Sequence, residues 1–473
     1  MNKVKRVLIG VLAATMSLSL AACGDNSSED ESSHEDTVKV VTTDDIAPIA
    51  EGEENTLIWM ANYDLNPSRG AEKTVGLNLF EQKGGKIEWS RVTSSNQYTK
   101  LGAAVTSGKD VPDLFVYSAL AFPCQVIQGF YQPIDDIIDF NDPLWSDVKD
   151  TADQYSLAGK HYVAPIEYYP SSYVFYDKNV MNENGLDDPV ELYYEGKWDF
   201  DAMDDLMSSY VKAAPSGEER FGINGFYAPQ YVQQTGETLV MTDDNVTYRS
   251  NLDSAKIAKA EERLYNWRKE GYVEPNWIQN AGEAFNKNIL FYVMGDWAAT
   301  GSGGPTKNDS WGIVPLPADP DYNGEKPITS ASMNSFMWVN GSEKKDAARA
   351  FYECYRVAQT DSGYLQKAKD KWLQDNPYWT EEDYDLMKEV SNPNNNLMIF
   401  EPSYGVSALM GDDNSGFMAG QSLTNWLYRS TSGIDEQGKT YTWTQTKEKF
   451  SATVDTEVEK INKQIKEFLA KNK

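Results

Sequence analysis

Histidine is almost absent from this chain of 473 residues: His34 and His161 are the only two. No Ser–His–Asp set and no HExxH zinc helix can be assembled from them, and no serine stands in a GxSxG turn. Cysteine is as scarce. Cys23, Cys124 and Cys354 are the whole supply, which excludes a disulfide framework. Cys354 falls among Ala347, Ala348, Phe351 and Tyr355 at helical spacing, the setting of a buried free thiol; a bridge to Cys124 would need a geometry that spacing does not supply. Positive charge is also short, with 43 Lys and Arg against 72 Asp and Glu and a formal net charge of −29. Such a balance excludes nucleic acid as a partner, because phosphates are neutralised by basic side chains. Gly301–Gly304 with Thr306 and Lys307 lacks the spacing of a phosphate loop. The calcium-loop pattern begun at Asp319 ends on Ser330 where a bidentate glutamate belongs, so an Asx-rich turn is expected and no metal or cofactor is.

What is present starts at the N-terminus. Lys3, Lys5 and Arg6 precede an apolar run from Val7 to Leu20, long enough for a secretory segment and short for a membrane span. The following Leu20-Ala21-Ala22-Cys23-Gly24 resembles the lipobox of bacterial lipoproteins. That resemblance makes residues 1–23 a signal peptide and Cys23 a lipidated N-terminus on the extracytoplasmic face of the cell membrane. Residues 24–55 carry eleven acids and one lysine without an aromatic residue, so they are expected to form a disordered tether reaching roughly 30 Å. About 420 residues then remain, too many for one core, and two lobes are expected.

The body alternates strands and helices. Thr56–Met60, Lys86–Val92 and Pro112–Val116 read as strands, with helical spacing over Asn66–Gln82 and Ser95–Ser107 between them, which predicts a parallel sheet covered by helices. Further on, Ser172–Tyr176, Phe221–Asn224, Asn288–Met294 and Trp311–Pro317 repeat the logic. Thr446–Lys471 reads as one long amphipathic helix. In such sheets ligands gather beyond the carboxyl ends of strands. The residues there are Asn62, Tyr63, Asp64, Tyr117, Ser118, Phe226, Tyr227, Gln230 and Trp297, with Glu167, Tyr168 and Tyr169 in an extended segment between the halves.

The ordered succession of Gly159-Lys160-His161-Tyr162, Tyr176-Asp177-Lys178, Gly196-Lys197-Trp198, Gly295-Asp296-Trp297 and Gly312–Pro317 resembles extracellular solute-binding proteins, in the sugar-binding branch that includes maltose-binding protein. The resemblance covers the body from about Thr56 and departs from the family pattern between Gln366 and Gly433. It implies an α/β, two-lobed periplasmic-binding-protein-like fold of type II, with discontinuous lobes joined by a multi-strand hinge. The implied division is 56–165 and 332–395 for lobe 1, and 166–331 and 396–473 for lobe 2, with crossings near 164–168, 328–332 and 392–404. It further implies a monomeric, non-enzymatic carbohydrate carrier, most simply of an oligosaccharide, serving the permease of an ABC transporter. Tyr117 and Trp297 would stack on sugar faces from opposite lobes, while Asp64, Glu167 and Gln230 would hydrogen-bond hydroxyls. The alternatives are a surface glycoside hydrolase using Glu167 and Asp64, and a cationic or peptide-like ligand held by the same fold.

Overall fold

The computed structural model describes residues 41–68, 72–418, 420–432 and 439–472. The signal segment, Cys23, and the tether residues up to 40 lie outside the described residues. From Val41 onward the acidic segment belongs to the body and is not a free tether. Thr43–Asp45 forms one 3-10 turn, Ile46 is buried in the main core and Ile49 packs against that core, and the Ile49 amide donates to the Lys83 carbonyl at 3.0 Å. Two apolar side chains dock a stretch whose acids remain in water.

The first sheet is built on Thr56–Ala61, which buries Leu57, Trp59 and Ala61. It pairs in parallel with Lys86–Arg91 on one side and Leu114–Val116 on the other, and Phe336–Trp338 closes the edge in antiparallel. Helices Val75–Gln82 and Lys345–Val357 pack together outside it, with Phe80 edge-on to Phe351 at 5.3 Å. The first of these begins later than the spacing from Asn66 predicts. Asp64 turns the chain by accepting from the Asn66 amide at 2.9 Å, and Thr74 then caps the helix through the Leu77 amide at 3.3 Å.

The second sheet runs in the order Trp311–Val314, Tyr173–Asp177, Ile289–Met294, Phe221–Gly225. Its last two strands are parallel, whereas Tyr173–Asp177 is antiparallel to both neighbours. The sheet is therefore mixed and not parallel throughout. Tyr173–Asp177 follows directly on an upstream strand that belongs to another sheet.

That upstream strand, Glu167–Pro170, pairs antiparallel with Ile328–Asn334, which pairs in parallel with Leu397–Ile399. The three expected crossings thus meet in one three-stranded hinge sheet. Helix Glu381–Val390 and the turn before it pack on the second sheet, and not on the first lobe where the family resemblance places 332–395. Trp379, Tyr384, Met387 and Val390 share a core with Phe175 and Trp311, because Trp379 seats its indole on the Ala299 carbonyl at 2.9 Å. The helix Trp443–Lys471, capped by Thr442 and Gln445, buries Phe450, Val454, Val458, Ile461 and Ile465 at helical spacing. It lies against both Cys124–Ile127 and Tyr248–Ser250.

Those of the scarce residues that the structure describes prove structural. Cys124 and Cys354 are free and buried, their thiols pushed up by burial to about 11 and about 12, so neither is a nucleophile. His161 engages Asp135 through Nδ1 and Asp153 through Nε2, each at 2.8 Å, over the Phe140 ring.

Candidate functional site

Strand ends from both sheets converge on the hinge around a cavity of about 500 Å³. On the first wall, Tyr117 and Ser118 follow the strand Leu114–Val116. The Tyr117 hydroxyl donates to that of Tyr155 at 3.3 Å, and Tyr98 donates to Ser118 Oγ at 2.9 Å. Burial pushes the Tyr117 hydroxyl well above the ordinary tyrosine range and that of Tyr155 to about 12. Both therefore stay protonated and neutral at physiological pH.

The second wall depends on Gly225, which ends Phe221–Gly225 at φ +109°. A Cβ there would stand 2.0 Å from the Val293 carbonyl oxygen. With that close approach permitted, the Phe226 amide donates to Val293 at 2.7 Å and Ser172 Oγ donates to the Phe226 carbonyl at 3.0 Å. The chain then turns into helix Ala228–Gln233 with Pro229 in its first turn, which carries Gln230 and Gln233 along the cavity. Gln233 accepts from the Ser330 hydroxyl. Gln230 is only 2 % exposed, and its Oε1 has no hydrogen-bond partner among the described residues.

The hinge forms the floor. Tyr169, 40 % exposed, stands opposite Ser332 in register, and Ser332 shares a 2.9 Å hydrogen bond with Ser171. The remaining side comes from the chain after Leu397–Ile399: Phe400, Glu401, Tyr404, Asp413 and Asn425. The two acids here are already engaged. Glu401 accepts from the Leu239 amide at 2.9 Å, the Ser403 amide at 3.0 Å and the Tyr428 hydroxyl. Asp413 accepts on Oδ1 from the Ser422 backbone N–H at 3.0 Å and from the Asn425 side-chain amide at 2.9 Å. No lysine, arginine or histidine is among the described residues lining the cavity.

Of the residues expected from sequence, Tyr117, Ser118, Tyr169, Phe226 and Gln230 meet in this cavity. Asn62 donates to Ser94 at 2.9 Å on the surface, and Asp64 is occupied by its turn. Tyr63 stands half-exposed with its ring 5.5 Å from Trp59. Glu167 binds Lys388 at 3.2 Å and Asn334 at 3.2 Å. Tyr168 is buried and faces another cavity behind the hinge. Tyr227 is core, packed on Trp267. Trp297 is 58 % exposed on the 3-10 turn Asp296–Ala298, outside the cavity. Burial raises the Tyr169 hydroxyl, and the charges of Glu167 and of Asp296, beside Trp297, add to the shift. Tyr155, Ser171, Gln233, Ser332, Phe400, Tyr404 and Asn425 line the site without having been anticipated.

A sequence profile of the family described as bacterial extracellular solute-binding protein matches residues 67–385. A search of curated sequences gives no match. Among solved structures, the galacto-N-biose/lacto-N-biose I-binding protein of an ABC transporter from Bifidobacterium longum, in complex with lacto-N-biose, superposes with a TM-score of 0.57 at 15% identity, over 88% of this chain and 99% of that one. The cyclic alpha-maltosyl-1,6-maltose binding protein of Arthrobacter globiformis gives 0.55 at 16%, over 88% and 98%. An ABC substrate-binding protein of Listeria monocytogenes, in complex with cycloalternan, gives 0.55 at 13%, over 87% and 98%. At these identities the superpositions speak for the fold.

Proposed function

Because the chain belongs to the bacterial extracellular solute-binding protein family, we propose that it captures a neutral oligosaccharide in the cleft between its two sheets and presents it to the permease of an ABC importer. The observation that carries this reading is the cavity's chemistry. Aromatic rings (Tyr117, Tyr155, Phe226, Phe400) alternate with hydroxyls and amides, one of them the unpaired Gln230 oxygen. A sugar offers an apolar C–H face to the rings and hydroxyls to the polar groups. For a cationic ligand, Asp413 is the one accessible carboxylate among the described residues lining the cavity, because Glu401 is buried under three donors. A glycosidase would need two carboxyls flanking a scissile bond, and of the expected pair Asp64 is held in a turn while Glu167 is paired with Lys388. The three sugar-binding proteins of similar fold support the same reading.

A calorimetric titration over mono- and oligosaccharides tests it. Saturable binding without release of reducing sugar is the expected result; turnover of the ligand would replace capture by hydrolysis. Within that reading Trp297 is an outer stacking platform. Trp297→Ala should weaken binding roughly three- to tenfold with unchanged thermal stability, and equal affinity would remove Trp297 from the site. Lipid on Cys23 would hold the protein at the membrane. In cell fractionation Cys23→Ser should move it from the membrane to the soluble fraction, and retention at the membrane would dismiss the anchor.

A further inference from the structure

Tyr155 and Phe400, 6.1 Å apart and edge to face, wall the ligand cavity on one side. The same two rings also wall a second chamber of about 280 Å³. It lies against the outer hinge strand Leu397–Ile399 and the hairpin of Val240–Thr242 with Tyr248–Ser250. That hairpin is held firmly. The Asn245 side-chain amide donates to the Ser156 carbonyl at 3.2 Å, and Thr242 Oγ1 accepts from the Asn245 amide at 3.0 Å. The backbone of Tyr248 is clamped by Asn462, at 2.7 Å through its N–H and 2.8 Å through its carbonyl.

The chamber repeats the chemistry of the main cavity. Phe122, Tyr155, Tyr248 and Phe400 supply rings and Met241 a thioether. Tyr248 is 3 % exposed, and Gln154 and Asn245 line the chamber beside it with polar side chains. Tyr155 accepts from Tyr117, which leaves its own hydrogen to donate. No charged side chain lines the chamber among the described residues. A charged guest would find no counter-charge there. A purely apolar guest would cover the polar side chains of Gln154 and Asn245 without offering them partners, which is costly.

We infer that this chamber is a second carbohydrate subsite, entered past the Tyr155–Phe400 ring pair, which receives the end of an oligosaccharide whose body occupies the main cavity. The inference rests on the carbohydrate reading above and goes beyond it: it makes affinity depend on chain length and assigns that dependence to residues around Met241 and Tyr248.

The test titrates the full chain with malto-oligosaccharides from disaccharide to heptasaccharide, using wild type, Met241→Trp and Tyr248→Phe. Wild type should gain affinity with length. Met241→Trp fills the chamber and should lose at least about tenfold for the long members while binding the short ones as wild type does. Tyr248→Phe keeps the ring and serves should the tryptophan variant fail to fold; it should cost about three- to tenfold, again only for the long members. Length-dependent wild-type binding that neither variant alters, or an equal loss for short and long ligands, would overturn the subsite while leaving the carbohydrate reading intact. Failure of wild type to bind any member of this series or of the wider sugar panel would overturn both.

Discussion

Replacing Arg356 by methionine is expected to destabilise the protein by about 3 kcal/mol. Arg356 is 3 % exposed in the helix Lys345–Val357, and its guanidinium serves three acceptors. Nε donates to the Leu144 carbonyl at 3.1 Å, Nη1 to the Ile166 carbonyl at 2.7 Å, and Nη2 to Asp147. Ile166 is the last residue before the hinge strand Glu167–Pro170, so this fork fixes where the chain leaves the first lobe. Methionine fills the volume but strands two buried carbonyls, each costing roughly 1–3 kcal/mol when unpaired. The loss from Asp147 is smaller, because its side chain is 35% exposed and can turn to water. Arg356→Lys keeps the charge without the planar fork and should fall between wild type and methionine. Denaturant unfolding measures all three; a methionine variant within 1 kcal/mol of wild type would mean that the fork does not hold the hinge entry.

The second large effect is expected at Gly225. Valine there must adopt a positive φ that a β-branched residue strongly resists, with its Cβ placed 2.0 Å from the Val293 oxygen. The parallel register of Gly225 with Val293 would have to open, at a cost of about 3 kcal/mol or more. The consequence for binding is separate and larger. Phe226 hangs from Val293, and helix Ala228–Gln233 follows at once, so a shifted strand end moves Phe226 and Gln230 together. A Gly225→Val protein that still shows native circular dichroism should lose measurable sugar affinity. Gly225→Ala, smaller but facing the same carbonyl, should weaken it as well. Wild-type affinity in a folded valine variant would separate this glycine from the site.

The strand ends were legible because local chemistry marks them. Apolar runs stop at Tyr117-Ser118 and at Gly225-Phe226, and the structure places three of those four residues along the cavity and uses Gly225 to make the turn. Extended segments were less readable. In Glu167–Pro170 successive side chains alternate between faces, so Tyr169 reaches the cavity while Tyr168 turns away. No residue in that polar-aromatic run announces which face is which. Tyr227 was misplaced for a related reason: it directly precedes a six-residue helix buried along its length, too short to show a periodicity. Phe400, Tyr404 and Asn425 had no local signal at all. They reach the cleft only because Leu397–Ile399 pairs with Ile328–Ser330, nearly seventy positions upstream in the chain. The mixed second sheet was hidden likewise, since strand direction is decided by connections and not by composition.

The order in which the hinge acquires its strands has a consequence for how the chain is made. Glu167–Pro170 must wait for Ile328–Asn334, which in turn completes its other edge only with Leu397–Ile399, and the first sheet closes only with Phe336–Trp338. Long-range pairing of this kind pays loop closure before it gains contacts, which makes folding slow. A chain that emerges N-terminus first therefore cannot finish either lobe until most of it has been synthesised. For a member of an extracellular protein family, such a delay favours export of the chain before it folds.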